Sequence, residues 1–153
     1  MSLTRALRRA TQVALWAVLV ASAHGLAANI GYTIVLDFRE QHLVQVQILL
    51  PSGSADRDLE LPVWNALYQV RDFAQFVNWV RAKDHAGRAL EVREISSSHW
   101  QIHGAADGAI VEYQIYVDSF GPFGAQFNSH HAFFNLAQIL MCPAEFSTFT
   151  RKM

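Results

Sequence analysis

The chain has 153 residues, 52% of them hydrophobic and 16% charged, with a formal net charge of −1. That length supports one domain with a sizeable core, and that composition excludes a disordered chain. Setting aside Arg5, Arg8 and Arg9 leaves nine basic residues against thirteen acidic ones, a net of −4, which argues against nucleic acid or an anionic membrane surface as a partner.

Residues 1–28 read as a secretory signal peptide. A basic start with Arg5, Arg8 and Arg9 leads into the apolar run VALWAVLVASA at residues 13–23. Small residues then offer cleavage after Ala23 or after Ala27. The run is far shorter than the roughly 20 residues that span a bilayer. The expectation is an exported protein, periplasmic or extracellular, with no stable membrane span once the signal is removed. A single cysteine, Cys142, excludes an internal disulfide, and its apolar surroundings predict a small buried hydrophobe.

Residues 32–38 alternate as a strand, with Tyr32, Ile34, Leu36 and Phe38 on one face. Arg39, Glu40 and Gln41 make a turn. Residues 42–50 form the second strand, with Val44, Val46, Ile48 and Leu50 inward, and a hairpin of the two is the simplest pairing. Residues 51–58, PSGSADRD, read as a polar loop. A third strand is predicted over residues 59–64, placed at a sheet edge by Pro62, which lacks a backbone donor. A helical turn is expected within residues 68–76 and extended chain over residues 77–82. Asp84 to Gly87 signals a hairpin turn in which Gly87 takes positive φ. Leu90 and Val92 alternate with Glu91 and Arg93 on the next strand. After a turn at residues 96–98, Trp100 and Ile102 alternate with Gln101 and His103. Ala105 to Gly108 is a second hairpin signal. Residues 109–118 carry the strongest alternation, with Val111, Tyr113, Ile115 and Val117 on one face. A loop at residues 119–129 holds Phe120, Phe123 and Phe127. The sum is an all-β protein, an antiparallel β-sandwich of seven to nine short strands with no long helix. The expected organisation is a signal at residues 1–28, the sandwich at 29–143 and an irregular tail at 144–153.

The sequence lacks a His-Glu-x-x-His pair, a Gly-x-Ser-x-Gly elbow, a Gly-rich phosphate loop and a Cys-x-x-Cys pair. His99 and His103 are four apart, which on a strand separates the rings by roughly 13 Å along the chain. The adjacent His130 and His131 point to opposite faces of an extended chain, so at most one serves a site. Glu91, Glu94 and Glu112 fall on outward strand positions and read as solvated. No metal or other cofactor is expected. Two concentrations of side chains remain. Trp64, Tyr68, Arg71 and Asp72 crowd one corner, where the alternative reading is a core corner tied by Arg71. Phe120, Phe123, Phe127, Phe133 and Phe134, with His130 and Asn135 nearby, concentrate aromatics late in the chain. An exposed patch there would mark a docking surface.

Three segments, taken in order, carry a resemblance. LPVW at residues 61–64 precedes Tyr-x-Val-Arg-Asp-Phe-Ala at residues 68–74. VEYQIYV follows at residues 111–117, and HAFFN at residues 131–135 runs on to Pro143. Together they resemble the N-terminal domain of the glycyl aminopeptidase family of zinc metallopeptidases. That family commonly has Pro-Gly-Ser-Tyr after the Trp, where this chain has Asn65-Ala66-Leu67-Tyr68, one residue tighter before Arg71. The resemblance implies a non-catalytic domain, truncated or separately encoded, that supports or docks on the catalytic domain of a metallopeptidase. The alternative is a free-standing exported module that binds a peptide or protein partner. The residues put forward for binding are Trp64, Tyr68, Arg71, Asp72, Phe123, His130 and Asn135.

Overall fold

Alternation with a period of two puts every second side chain of a strand on one face, so two apolar faces must find each other. The structure, a computed structural model, describes residues 29–63, 72–119 and 124–146. In chain order the strands are β1 (Gly31–Phe38), β2 (Leu43–Leu50), β3 (Asp56–Glu60), β4 (Val77–Lys83), β5 (Ala89–Leu90) and β6 (Val92–Ser96). Then come β7 (His99–His103), β8 (Ala109–Tyr116), β9 (Gln126–Phe127), β10 (Ala132–Phe133), a single helical turn α1 (Leu136–Ile139), and β11 (Cys142–Pro143). One sheet has the order β1-β2-β8-β4-β5, the second β11-β3-β7-β6, and β9 pairs with β10 beside them. All pairings are antiparallel. The fold is all-β, and its longer strands are those the alternation predicts.

The core lies between the two sheets. Val44, Ile48 and Leu50 from β2 and Val111 and Tyr113 from β8 meet Leu59 of β3 and Trp100 and Ile102 of β7 in one buried cluster. Each such aliphatic side chain contributes roughly 1.5–3 kcal/mol by leaving water. The β4–β5 turn has Gly87 at φ +83, as expected. Gly108, at φ +95 in the β7–β8 turn, has a second reason to be glycine. A Cβ there would stand 2.7 Å from the backbone oxygen of Leu50.

Several features differ from the sequence reading. The turn at Ala105 to Gly108 joins β7 and β8, which belong to different sheets, and so is not the hairpin expected there. The third strand begins earlier, at Asp56, and ends at Glu60, so part of the expected loop is strand. Arg57 belongs to the inward row with Leu59, and its charge disguised that row as a loop. Pro62 lies beyond the strand, and β3 is flanked on both sides, by β7 and by the short β11. The stretch from Ala89 to Ser96 divides between the sheets: β5 pairs with β4, β6 pairs with β7, and Glu91 is the crossing point, its carbonyl accepting from the His103 amide at 3.0 Å. Cys142 is half-buried, not fully buried. The expected loop after β8 contains β9, whose Phe127 amide donates to the Val117 carbonyl at 3.0 Å.

Candidate functional site

The segment from β10 to Glu145 forms a strap fixed to both sheets. Asn135 starts α1 by accepting a hydrogen bond from the Ala137 amide on its side-chain oxygen, at 3.0 Å. Such a cap satisfies one of the open donors of a helix start. Phe133 and Leu136 stand outward, 58% and 52% exposed, while Ile139 and Met141 are fully buried.

Two hydroxyls from the large sheet hold the head of the strap. Tyr113 donates to the Ile139 carbonyl at 2.8 Å and accepts from the Met141 amide at 3.0 Å. Tyr32 donates to the Met141 carbonyl at 2.8 Å. Burial holds the Tyr113 hydroxyl well above the usual phenol range and pushes that of Tyr32 to about 12, so both remain neutral donors.

An ion pair from the other sheet holds the foot. Arg57, 2% exposed, meets the Glu145 carboxylate in a fork: its Nε donates to Oε2 at 3.1 Å and a terminal nitrogen donates to Oε1. Its other terminal nitrogen donates to the Pro51 carbonyl at 2.7 Å. Gly53 leaves room for that guanidinium, since a Cβ at this position would stand 2.9 Å from it. The fork geometry suits Arg and not Lys.

The outer faces of the sheets are polar. On the smaller sheet, His103 Nδ1 donates to Asp56 at 2.8 Å, and His99 Nε2 and Gln101 Nε2 both donate to Asp58 Oδ1, at 3.1 and 3.0 Å. On the larger one, Glu112 accepts from Lys83 at 2.8 Å and from Gln47 at 3.0 Å, and the Lys83 hydrogen bond is the main reason its carboxyl titrates below the usual range. Arg81 lies over the Trp79 ring at 4.8 Å. At one end of β2, His42 holds positive φ of 57°, and its Nδ1 donates to the Phe127 carbonyl at 2.7 Å. An open cleft of about 480 Å³ lies between the β4–β5 and β7–β8 turns, walled by Asp84, His85, Arg88, Leu90 and Asp107. Its Arg88 donates from Nε to Asp84 at 2.7 Å. Among the described residues no three His, Cys, Asp or Glu side chains converge on a point where a metal ion could sit.

Over residues 31–151 the sequence matches the Peptidase M61 N-terminal domain. The chain belongs to that family. A crystal structure of an aminopeptidase N family protein from Idiomarina loihiensis is similar to this chain, with a TM-score of 0.71 and 26% identity over 75% of the chain. The chain spans 20% of that protein. No curated protein matches the sequence.

Among the residues put forward from sequence, Trp64, Tyr68, Arg71 and Phe123 lie outside the described residues. Asp72 is exposed, and its carbonyl accepts from the Gln75 side chain at 2.6 Å. His130 is exposed, and its amide donates to the Asn128 side chain at 2.9 Å. Asn135 is the cap of α1. Of the late aromatics, Phe127 is core and Phe133 is exposed. The sequence reading missed the part played by Arg57, Glu145 and Tyr113 in this M61 domain. Arg57, Leu59 and Leu61 share the period of two, which was the available signal for Arg57. Glu145 gave none, because its partner lies 88 positions away.

Proposed function

We propose that this M61 N-terminal domain is a non-catalytic support for the catalytic domain of a glycyl aminopeptidase-like metallopeptidase, docking on it through the exposed segment around Phe133 and Leu136. The observation that carries the reading is the strap. Its outward face presents two large apolar side chains, and its inward face is fixed to both sheets. A surface already held in place loses little entropy when a partner seats on it. The zinc of such peptidases does not fit this chain. The sequence has no His-Glu-x-x-His helix, and no metal-ligating group of three occurs among the described residues. Chemistry would therefore belong to the partner. The reading includes export by residues 1–28 to the periplasm or beyond, which N-terminal sequencing of secreted material tests by finding a start at His24 or at Ala28.

The test is a binding titration of the purified chain against an M61 catalytic domain prepared without its own N-terminal domain. A saturable complex, weakened by Phe133→Asp and by Leu136→Asp, is expected. Turnover of glycyl substrates by this chain alone with zinc contradicts the reading. Binding to an unrelated peptide or protein with no affinity for a catalytic domain replaces it with the free-standing exported module.

A further inference from the structure

We propose that the docking surface continues from Phe133 across the outer face of the five-stranded sheet to Tyr116 and Phe38, and that the partner element seated there is an apolar segment carrying an Arg or Lys side chain for Asp118. This rests on the docking role of the domain and adds its extent and the chemistry that meets it. Cross-strand partners in a ladder share a face. Phe38 pairs with Leu43, and Leu43 with Tyr116. Just past β8, Asp118 bridges to Gln126, and Gln126 pairs with Phe133. The Tyr116 hydroxyl donates to Asp118 at 3.3 Å, which joins the two rows on one side. The alternating residues Val117 and Phe127 are buried, so that side is the outer one. At strand spacings of roughly 4.8 Å, and roughly 6.7 Å for each two residues along a strand, Tyr116 and Phe133 stand about 12 Å apart.

Elsewhere the outer faces carry polar side chains bonded to one another, as in the Asp58 and Glu112 groups. This end differs. Three aromatic side chains of one face are exposed, Phe133 at 58%, Tyr116 at 40% and Phe38 at 37%. Asp118 sits among them, half-buried. Glu112 and Asp84, also half-buried, are paired with Lys83 and Arg88. Among the described residues no Lys or Arg is paired with Asp118. His42 Nδ1 stands 4.0 Å from it and donates instead to the Phe127 carbonyl. A carboxylate beside aromatic rings suits a basic side chain, whose charge meets the carboxylate while its stem or guanidinium lies on a ring. The acidic balance of the chain beyond residue 28 favours a basic partner in the same sense. The surface is also held in advance. His42, at φ 57°, meets the Tyr116 ring edge-on at 6.1 Å and grips β9, the strand that carries β10 and Phe133. Side chains fixed in this way lose little entropy on binding.

The test is the affinity of the purified chain for an M61 catalytic domain freed of its own N-terminal domain, measured at low and high salt. Tyr116→Ala is expected to weaken the complex by about tenfold and Phe38→Ala by about threefold. Asp118→Asn weakens it by about fivefold at low salt and flattens its salt dependence, which the loss of a merely structural contact would not do. Glu94→Gln, the same change of charge at an exposed position of β6, leaves affinity and salt dependence unchanged. Should Tyr116→Ala not fold, Phe38→Ala and Asp118→Asn still decide. A complex that Phe133→Asp weakens, and that Tyr116→Ala, Phe38→Ala and Asp118→Asn leave alone, overturns this extension while the docking role stands. The absence of any complex overturns both. A complex as tight and as salt-dependent in Asp118→Asn as in the parent chain overturns the basic partner. So does self-association of the chain alone, in sedimentation velocity, that Tyr116→Ala abolishes, since a second copy is then the occupant.

Discussion

Residues 139–145 of the strap are held at their two ends by opposite chemistry. At the head, the neutral hydroxyls of Tyr113 and Tyr32 satisfy backbone groups that would otherwise be stranded under the large sheet. At the foot, a buried guanidinium from the small sheet grips one carboxylate. The difference matters because the two devices fail differently. Removing a hydroxyl strands a neutral donor or acceptor. Removing a carboxylate strands a charge, which costs more.

The comparison breaks most visibly at the foot. Glu145→Ala leaves Arg57 buried with one acceptor, the Pro51 carbonyl, and is expected to destabilise the domain by about 2–4 kcal/mol in urea denaturation. That is less than for a fully buried pair, because the Glu145 side chain is 37% exposed and partly screened. Arg57→Met with Glu145→Met removes both charges together and is expected to recover more than half of that loss. If the double variant is no better than the single one, the stranded charge is not the cause. At the head, Tyr113→Phe removes the acceptor for the Met141 amide and the donor to the Ile139 carbonyl, an expected loss of about 1–3 kcal/mol. Tyr32→Phe, at a half-exposed position with one bond, costs about 0.5–1.5 kcal/mol.

Titration separates the strap from the outer faces. The folded pKa of both tyrosines is raised above the unfolded value of about 10. Their stabilisation is intact below that value and is lost as pH rises from there towards the folded ones. Thermal melts should therefore fall through this alkaline range, and less so in Tyr113→Phe. The carboxyls of Glu112 and Asp84 are held below the usual range, the first chiefly by the Lys83 hydrogen bond and the second chiefly by the Arg88 amide. Their stabilisation is present above about pH 4 and is lost as pH falls through the lowered values. Both groups are solvated enough that this acid-side effect is the smallest of the set, and Glu112→Gln should change stability by less than about 1 kcal/mol.

β8 was legible in the sequence because its inward residues are all apolar and most of its outward ones, Glu112, Gln114 and Tyr116, are polar. The β1–β2 hairpin and the β4–β5 turn followed from the same local patterns, whereas the turn at Ala105 to Gly108, read as a hairpin, joins strands of different sheets. β3 was misjudged at its start because Arg57 is inward and charged, and a period of two is blind to a charge paired with Glu145. The division at Glu91 was invisible for a related reason: alternation continues across the crossing, while the partner strand changes from β4 to β7. Asn135 drew attention as a polar residue beside aromatics, yet its oxygen serves the backbone of the next turn. Of the candidate site, the exposure of Phe133 was foreseeable from aromatic density, whereas the two anchors depend on contacts between residues far apart in sequence.

The account rests on the strap being part of the core and not a trailing segment, so that a partner meets a fixed surface. Native-state hydrogen exchange of the Met141 amide measures this directly. It should open only with global unfolding, at the same free energy as the amides of Val111 and Tyr113 in β8. Exchange orders of magnitude faster than β8, through local release of residues 139–145, would contradict it.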